Sequence, residues 1–140
     1  MKIGYKDLLA EANAAIKAIS AAEAGALRSD PSTLFLDVRD VRELDRDGMI
    51  PGAFHAPRGM LEFWVDPESP YHKPIFASGK RFVFYCASGW RSALAAYAVQ
   101  RMGLEPVCHL EGGFTAWHNA KLPIAPLGKP ELKTDVRAGA

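Results

Sequence analysis

The stretch that most constrains this chain is Phe82-Val83-Phe84-Tyr85, four β-branched or aromatic residues in succession that stop at Cys86. A short apolar run of this kind predicts a strand buried on both faces, at home in a parallel sheet with helices on either side. From Ser92 to Met102 neither glycine nor proline occurs, and Leu94, Ala95, Ala98, Val99 and Met102 share one helical face until Gly103 ends it. Cys86 therefore falls at a strand-to-helix turn. The residues after it approach a helix N-terminus, whose unpaired N–H groups and positive dipole end favour an anion. Arg91 adds a full positive charge. A thiol in that setting is expected to act as a thiolate nucleophile near neutral pH.

The remaining chain supports one such α/β unit. At 140 residues it fits a single domain able to bury a core without disulfides or metal. Leu8, Ala12, Ile16 and Ile19 predict an amphipathic helix over 5–19, so residues 1–18 read as an N-terminal helical extension. Ser20 with Glu23, and Asp40 with Glu43, have the form of capping boxes that open two short helices. Leu34–Val38, Ala53–Ala56 and Pro106–Leu110 predict further strands, and Phe114–Ala120 another short helix. Residues 57–80 are broken by prolines and glycines, with a short helix expected at Met60–Val65. Their aromatics Phe63, Trp64, Tyr71 and Phe76 mark an ordered loop folded over the domain. Residues 19–124 form the expected domain, and 125–140 a peripheral tail. In open parallel sheets, sites lie at the carboxyl ends of strands; Asp37 with Arg39, Cys86, and Glu111 with Gly112-Gly113 all fall there.

Charge narrows the partners. Lys plus Arg number 17 against 16 Asp plus Glu, so no global excess directs the chain to nucleic acid or a membrane surface. The charged start, Met1 to Asp7, and the alanine-rich segment after it fit neither a signal-peptide core nor a membrane span; the expected location is cytoplasmic. Two cysteines in such a protein are expected to be reduced. His55, His72, His109 and His118 are scattered without metal-ligand spacing and read as packing or solvated residues, so no metal is expected. None lies in the loop, and a Cys–His couple cannot be argued from the sequence.

Three motifs, in order, give the chain a family resemblance over about Ile19 to Pro123. Leu36-Asp37-Val38-Arg39 with Glu43 and Gly48-Met49-Ile50-Pro51-Gly52-Ala53 resembles the first motif of rhodanese-like domains, with Met49 in place of the usual histidine. The six residues Cys86-Ala87-Ser88-Gly89-Trp90-Arg91 are similar to that family's active loop, and Leu110-Glu111-Gly112-Gly113-Phe114 with Trp117 to its third motif. The resemblance implies a rhodanese-like fold: a small parallel sheet flanked by helices, here with an extra N-terminal helix. It also implies a thiosulfate sulfurtransferase in which Cys86 takes a sulfane sulfur from a donor such as thiosulfate and passes it to a thiophilic acceptor, cyanide or a thiol in vitro. The persulfide on Cys86 is then the only carrier, with no separate cofactor. A protein thiol as acceptor remains open, as does a non-catalytic interaction or persulfide-carrier module.

Each loop residue carries an expectation. The N–H groups of Ala87 through Arg91 can curve around the sulfur, and Gly89 supplies the positive φ such a curl requires. Ser88 is a turn residue or a hydroxyl donor, and Trp90 a lid or an exposed loop residue. Arg91 either contacts an anionic donor or braces the loop. Ser92 is expected as a first-turn helix residue. Among supporting residues, Asp37 orients the loop or serves as a structural carboxylate, Arg39 pairs with Glu43, and Arg58 is a second anion contact. Cys108 should lie roughly 7–10 Å down its strand, too far to resolve a disulfide with Cys86, and reads as a small buried hydrophobe. Cysteine phosphatases and arsenate reductases also use a thiolate loop that ends at arginine, but with five intervening residues. Here there are four, a cradle better sized for one sulfur than for a tetrahedral phosphate.

Overall fold

The computed structural model describes residues 1–128. Among them, five strands form one parallel sheet: β1 (Lys17–Ile19), β2 (Thr33–Asp37), β3 (Phe54–His55), β4 (Arg81–Tyr85) and β5 (Val107–Leu110), in the order β1-β5-β4-β2-β3. Six helices cover it: α1 (Tyr5–Ala15), α2 (Ala21–Leu27), α3 (Val41–Asp47), α4 (Leu61–Val65), α5 (Trp90–Arg101) and α6 (Gly113–Asn119). Both predicted capping boxes form. Ser20 Oγ accepts from Glu23 N–H, Asp40 Oδ1 accepts from Arg42 N–H, and each N3 glutamate accepts from the cap's own N–H.

Alternation along the central strands builds two cores. Leu36, Phe82 and Phe84 pack with α1, α4 and α5 on one face, whereas Phe35, Val83 and Tyr85 pack with α2 and α6 residues on the other. Burying one such aromatic contributes roughly 1.5–3 kcal/mol. The segment 57–80 does fold over the domain. Leu61, Val65 and Phe76 are buried, and Phe54, Trp64, Phe76 and Phe82 form a run of ring contacts.

Three expectations change. Helix α1 ends at Ala15, and residues 17–19, expected to continue it, form the edge strand β1, paired Lys17↔Cys108 through Ile19↔Leu110. A three-residue strand shows no alternation to read; its conformation comes from pairing with β5. The inward side of α1 carries partly buried Leu9 and buried Ala12, continued by Ile16 just beyond the helix, while Leu8 is exposed. The chain after Pro123 is not all peripheral. Met49 and Ala125 exchange two backbone hydrogen bonds of 2.9 Å, and Pro123 O accepts from Trp117 Nε1. The rest of the expected tail, 129–140, lies outside the described residues. No helix among those described is long and apolar enough to cross a membrane.

Candidate active site

β4 ends at Tyr85, so Cys86 stands at the carboxyl end of the strand flanked by β2 and β5. The chain then curls through Gly89, at φ +114°, into the first turn of α5. Sequence reasoning expected that positive φ. The curl aims donors at the sulfur: Gly89 N–H at 3.1 Å and Ser92 N–H at 3.4 Å from Sγ. Gly89 is the helix cap and Ser92 the third helical residue, so these are orphan donors of a helix N-terminus turned on a thiol. The cradle is therefore narrower than five successive N–H groups, and it includes Ser92, which lies beyond the expected loop. Cys86 is 1% exposed, and the loop closes around its side chain.

The Gly112-Gly113 pair fixes the loop from behind. The first N–H groups of α6 donate to the loop carbonyls, Phe114 N to Cys86 O at 2.8 Å and Thr115 N to Ala87 O at 3.1 Å. Gly113 sits at φ +59°, and a Cβ there would come within 2.5 Å of Cys86 O. No side chain fits.

Two ion pairs frame the loop. Asp37, fully buried, accepts from Arg39 N–H, Nε and Nη2 at 3.0, 3.0 and 2.7 Å, and Arg39 Nη2 also donates to Gly48 O at 2.7 Å. Tyr85 Oη accepts from Ile50 N–H; burial, then the Asp37 charge, push that phenol well above its ordinary range. The expected Arg39–Glu43 pair does not form. Glu43 instead reaches across to Arg91, which donates to its two oxygens at 2.6 and 3.0 Å. That hydrogen bonding is the main cause holding the Glu43 carboxyl below its usual range. The nearer arginine in sequence is already committed to Asp37.

Other expected residues separate. Trp90 is 59% exposed and packs on Tyr5 of α1, ring centroids 5.2 Å apart. Ser88 lines a cavity of about 330 Å³ beside the loop, together with Asn13, Trp90, His109, Glu111 and Gly112. Larger cavities lie elsewhere, against Val65 and Leu104, and against Lys17 and Cys108. Arg58 donates to Glu62 and lines a groove between α1 and α5, apart from the loop residues. Cys108 is buried on the opposite sheet face from Cys86, and both thiols are free. Burial raises the Cys108 thiol above its ordinary value. Among the described residues, no group of three or more His, Cys, Asp or Glu could hold a metal ion.

Two residues joined to the thiol were missed. Cys86 S–H and Ser92 Oγ are 3.5 Å apart, and Ser92 Oγ and His109 Nδ1 3.0 Å apart. Strand parity could have found His109. Phe84 pairs with His109, and Cys86, two residues on, projects from the same face as Phe84.

The rhodanese-like domain family matches residues 20–120. A solved structure from Rhodopseudomonas palustris, of a protein of unknown function described as a possible tyrosine phosphatase, is 54% identical; its TM-score is 0.87 over 89% of this chain and 96% of its own. The polysulfide-sulfur transferase homodimer of Wolinella succinogenes is 26% identical with TM-score 0.67, over 89% of this chain and 88% of its own. An uncharacterized Synechocystis protein is 35% identical over 69% of this chain and 49% of its own length. The chain thus spans about half of that relative, and about a third of the enterobacterial tRNA uridine(34) hydroxylases that are 29–30% identical to it.

Proposed function

The chain belongs to the rhodanese-like domain family, and from that premise we propose that it is a sulfurtransferase carrying a sulfane sulfur as a persulfide on Cys86. The observation that carries this reading is the pair of N–H groups, Gly89 and Ser92, aimed at one sulfur atom. The Cys86 thiolate attacks the sulfane sulfur of a donor such as thiosulfate. The donor S–S bond breaks, and sulfite leaves with the electron pair. A thiol or cyanide then attacks the outer sulfur, and Cys86 departs as thiolate. Both half-reactions need negative charge stabilised at the same Sγ, the service that preorganised N–H donors supply. The outer sulfur of a persulfide stands about 2 Å beyond Sγ, which suits a small cradle. The sulfur transfer named for the Wolinella relative supports the class.

A phosphatase is the second reading, favoured by the description of the Rhodopseudomonas relative. Two observations weigh against it: four residues separate Cys86 from Arg91, and Arg91 already spends two donors on Glu43. The likeness to tRNA-modifying enzymes finds no electrostatic support in a chain of net charge +1. Parallel assays with thiosulfate plus cyanide and with p-nitrophenyl phosphate test the choice. Thiocyanate formation that is lost in Cys86→Ser is expected, and phosphoester turnover without thiocyanate would reverse the assignment.

A further inference from the structure

Cys86, Ser92 and His109 form a buried chain of polar side chains, 1%, 0% and 4% exposed. Its direction follows from counting protons. A serine hydroxyl has one proton to give and two lone pairs. Ser92 Oγ has two acceptors in reach, His109 Nδ1 at 3.0 Å and Gly89 O at 3.4 Å. The second is long for a hydroxyl bond, so an imidazole with a free Nδ1 lone pair is the better acceptor. That direction requires His109 to be neutral with its own proton on Nε2. The lone pairs of Oγ are then left for the thiol, giving Sγ–H to Oγ–H to Nδ1.

We propose that His109, acting through Ser92, takes the thiol proton when Cys86 becomes a nucleophile. The S–H bond breaks and Sγ keeps the electron pair. Ser92 Oγ gains that proton and releases its own to His109 Nδ1, so one proton has moved from cysteine to histidine and serine is unchanged. The chain now runs the other way. Nδ1–H donates to Oγ, and Oγ–H turns to Sγ as a third donor beside the Gly89 and Ser92 amides. His109 touches no substrate; it is a positioning residue.

The surroundings fit this role. Burial holds the imidazole below its ordinary value and keeps it neutral at rest, while Glu111 acts in the opposite direction and favours the imidazolium that the relay forms. The titratable groups facing the pair are Glu111 at the end of β5 and Arg91, whose charge acts on Cys86. The neighbouring β1 presents Ala18, α1 presents Asn13 and the loop presents Ser88, all uncharged. His109 also lines the cavity beside the loop, which gives the relayed proton an exit to solvent.

Only the timing of the relay in a catalytic cycle rests on the sulfurtransferase reading; the proton transfer itself can be tested on the thiol. The rate of Cys86 alkylation by iodoacetamide is measured near pH 7 in wild type, His109→Asn, Ser92→Ala, Ser92→Thr and the double variant His109→Asn/Ser92→Ala. Losing one hydrogen bond to a charged group corresponds to roughly tenfold or more, so His109→Asn and Ser92→Ala should each slow alkylation by about that factor. The double variant should be no slower than either single one, and Ser92→Thr should recover most of the rate. The variant-free readout is the imidazole 15N spectrum of wild type. It should show the Nε2–H form at neutral pH, and the His109 titration midpoint should move once Cys86 is alkylated. Equal rates in wild type and His109→Asn, or an Nδ1–H form with a midpoint indifferent to alkylation, would overturn the relay. Alkylation needs no sulfur donor, so normal His109 dependence with no sulfur transfer would count against the enzyme reading alone.

Discussion

Replacing Asp37 with asparagine is expected to be among the most damaging single-residue changes near the loop, although it alters one atom. Asp37 and Arg39 are 0% and 1% exposed, so neither charge has water to fall back on. The carboxylate accepts three Arg39 donors, and the guanidinium lies 4.3 Å from the Phe114 ring centre. Asparagine removes the countercharge and turns an amide donor toward a guanidinium that can only donate. Breaking a buried pair from one side costs about 3–5 kcal/mol, a large share of the ~5–15 kcal/mol that holds a domain together. At ~3–4 °C per kcal/mol for a domain of this size, Tm should fall by roughly 10–20 °C. Urea titration followed by tryptophan fluorescence measures the free-energy loss directly, with an unchanged m-value as the check that the unfolding reaction is the same. Replacing both partners, Asp37→Leu with Arg39→Met, should cost far less than Asp37→Asn alone, because no uncompensated charge remains. A loss under about 1 kcal/mol for Asp37→Asn would show that the Arg39 charge does not depend on Asp37. It would mean that water or another group reaches Arg39.

Two further outcomes follow from the same geometry. Gly113→Ala places a methyl 2.5 Å from Cys86 O at φ +59°; the backbone strain alone is worth ~1–2 kcal/mol, and displacing the Cys86 carbonyl should cut thiocyanate formation more steeply than stability. Unfolding free energy and turnover of the same variant separate the two effects. His109 is held below its ordinary value by burial, so its stabilising contribution is complete above about pH 6.5 and is lost as pH falls through the folded value. The urea midpoint of wild type should therefore begin to fall just below that pH and that of His109→Asn should not. The Glu43 contribution, tied to a carboxyl lowered mainly by Arg91, should be lost only below its ordinary 4.5.

What could be read in advance was whatever depends on near neighbours in sequence. Ser20 and Glu23, or Asp40 and Glu43, are three apart and cap each other through contacts a short segment makes by itself. The β4 run, the turn at Cys86 and the need for glycine at position 89 were visible for the same reason. The misplaced features depend on distant partners. β1 is a strand only because β5 lies beside it. Glu43 has Arg39 four residues away but pairs with Arg91, 48 residues away, because Asp37 already holds Arg39. Ser92 and His109, 17 residues apart, meet because α5 crosses the face onto which β5 turns its odd-numbered side chains. Arg58 joins Glu62 one turn along, a local contact that the expected anion role passed over.

The central claim is that Cys86 carries sulfur, and intact-protein mass spectrometry after incubation with thiosulfate tests it most directly. The expected product is a single added sulfur, about 32 Da, localised to Cys86, discharged by cyanide and absent in Cys86→Ser. A protein that stays unmodified with thiosulfate and with polysulfide, while its thiol still reacts with iodoacetamide, would rule out sulfur transfer and leave a rhodanese-like domain that binds without transferring.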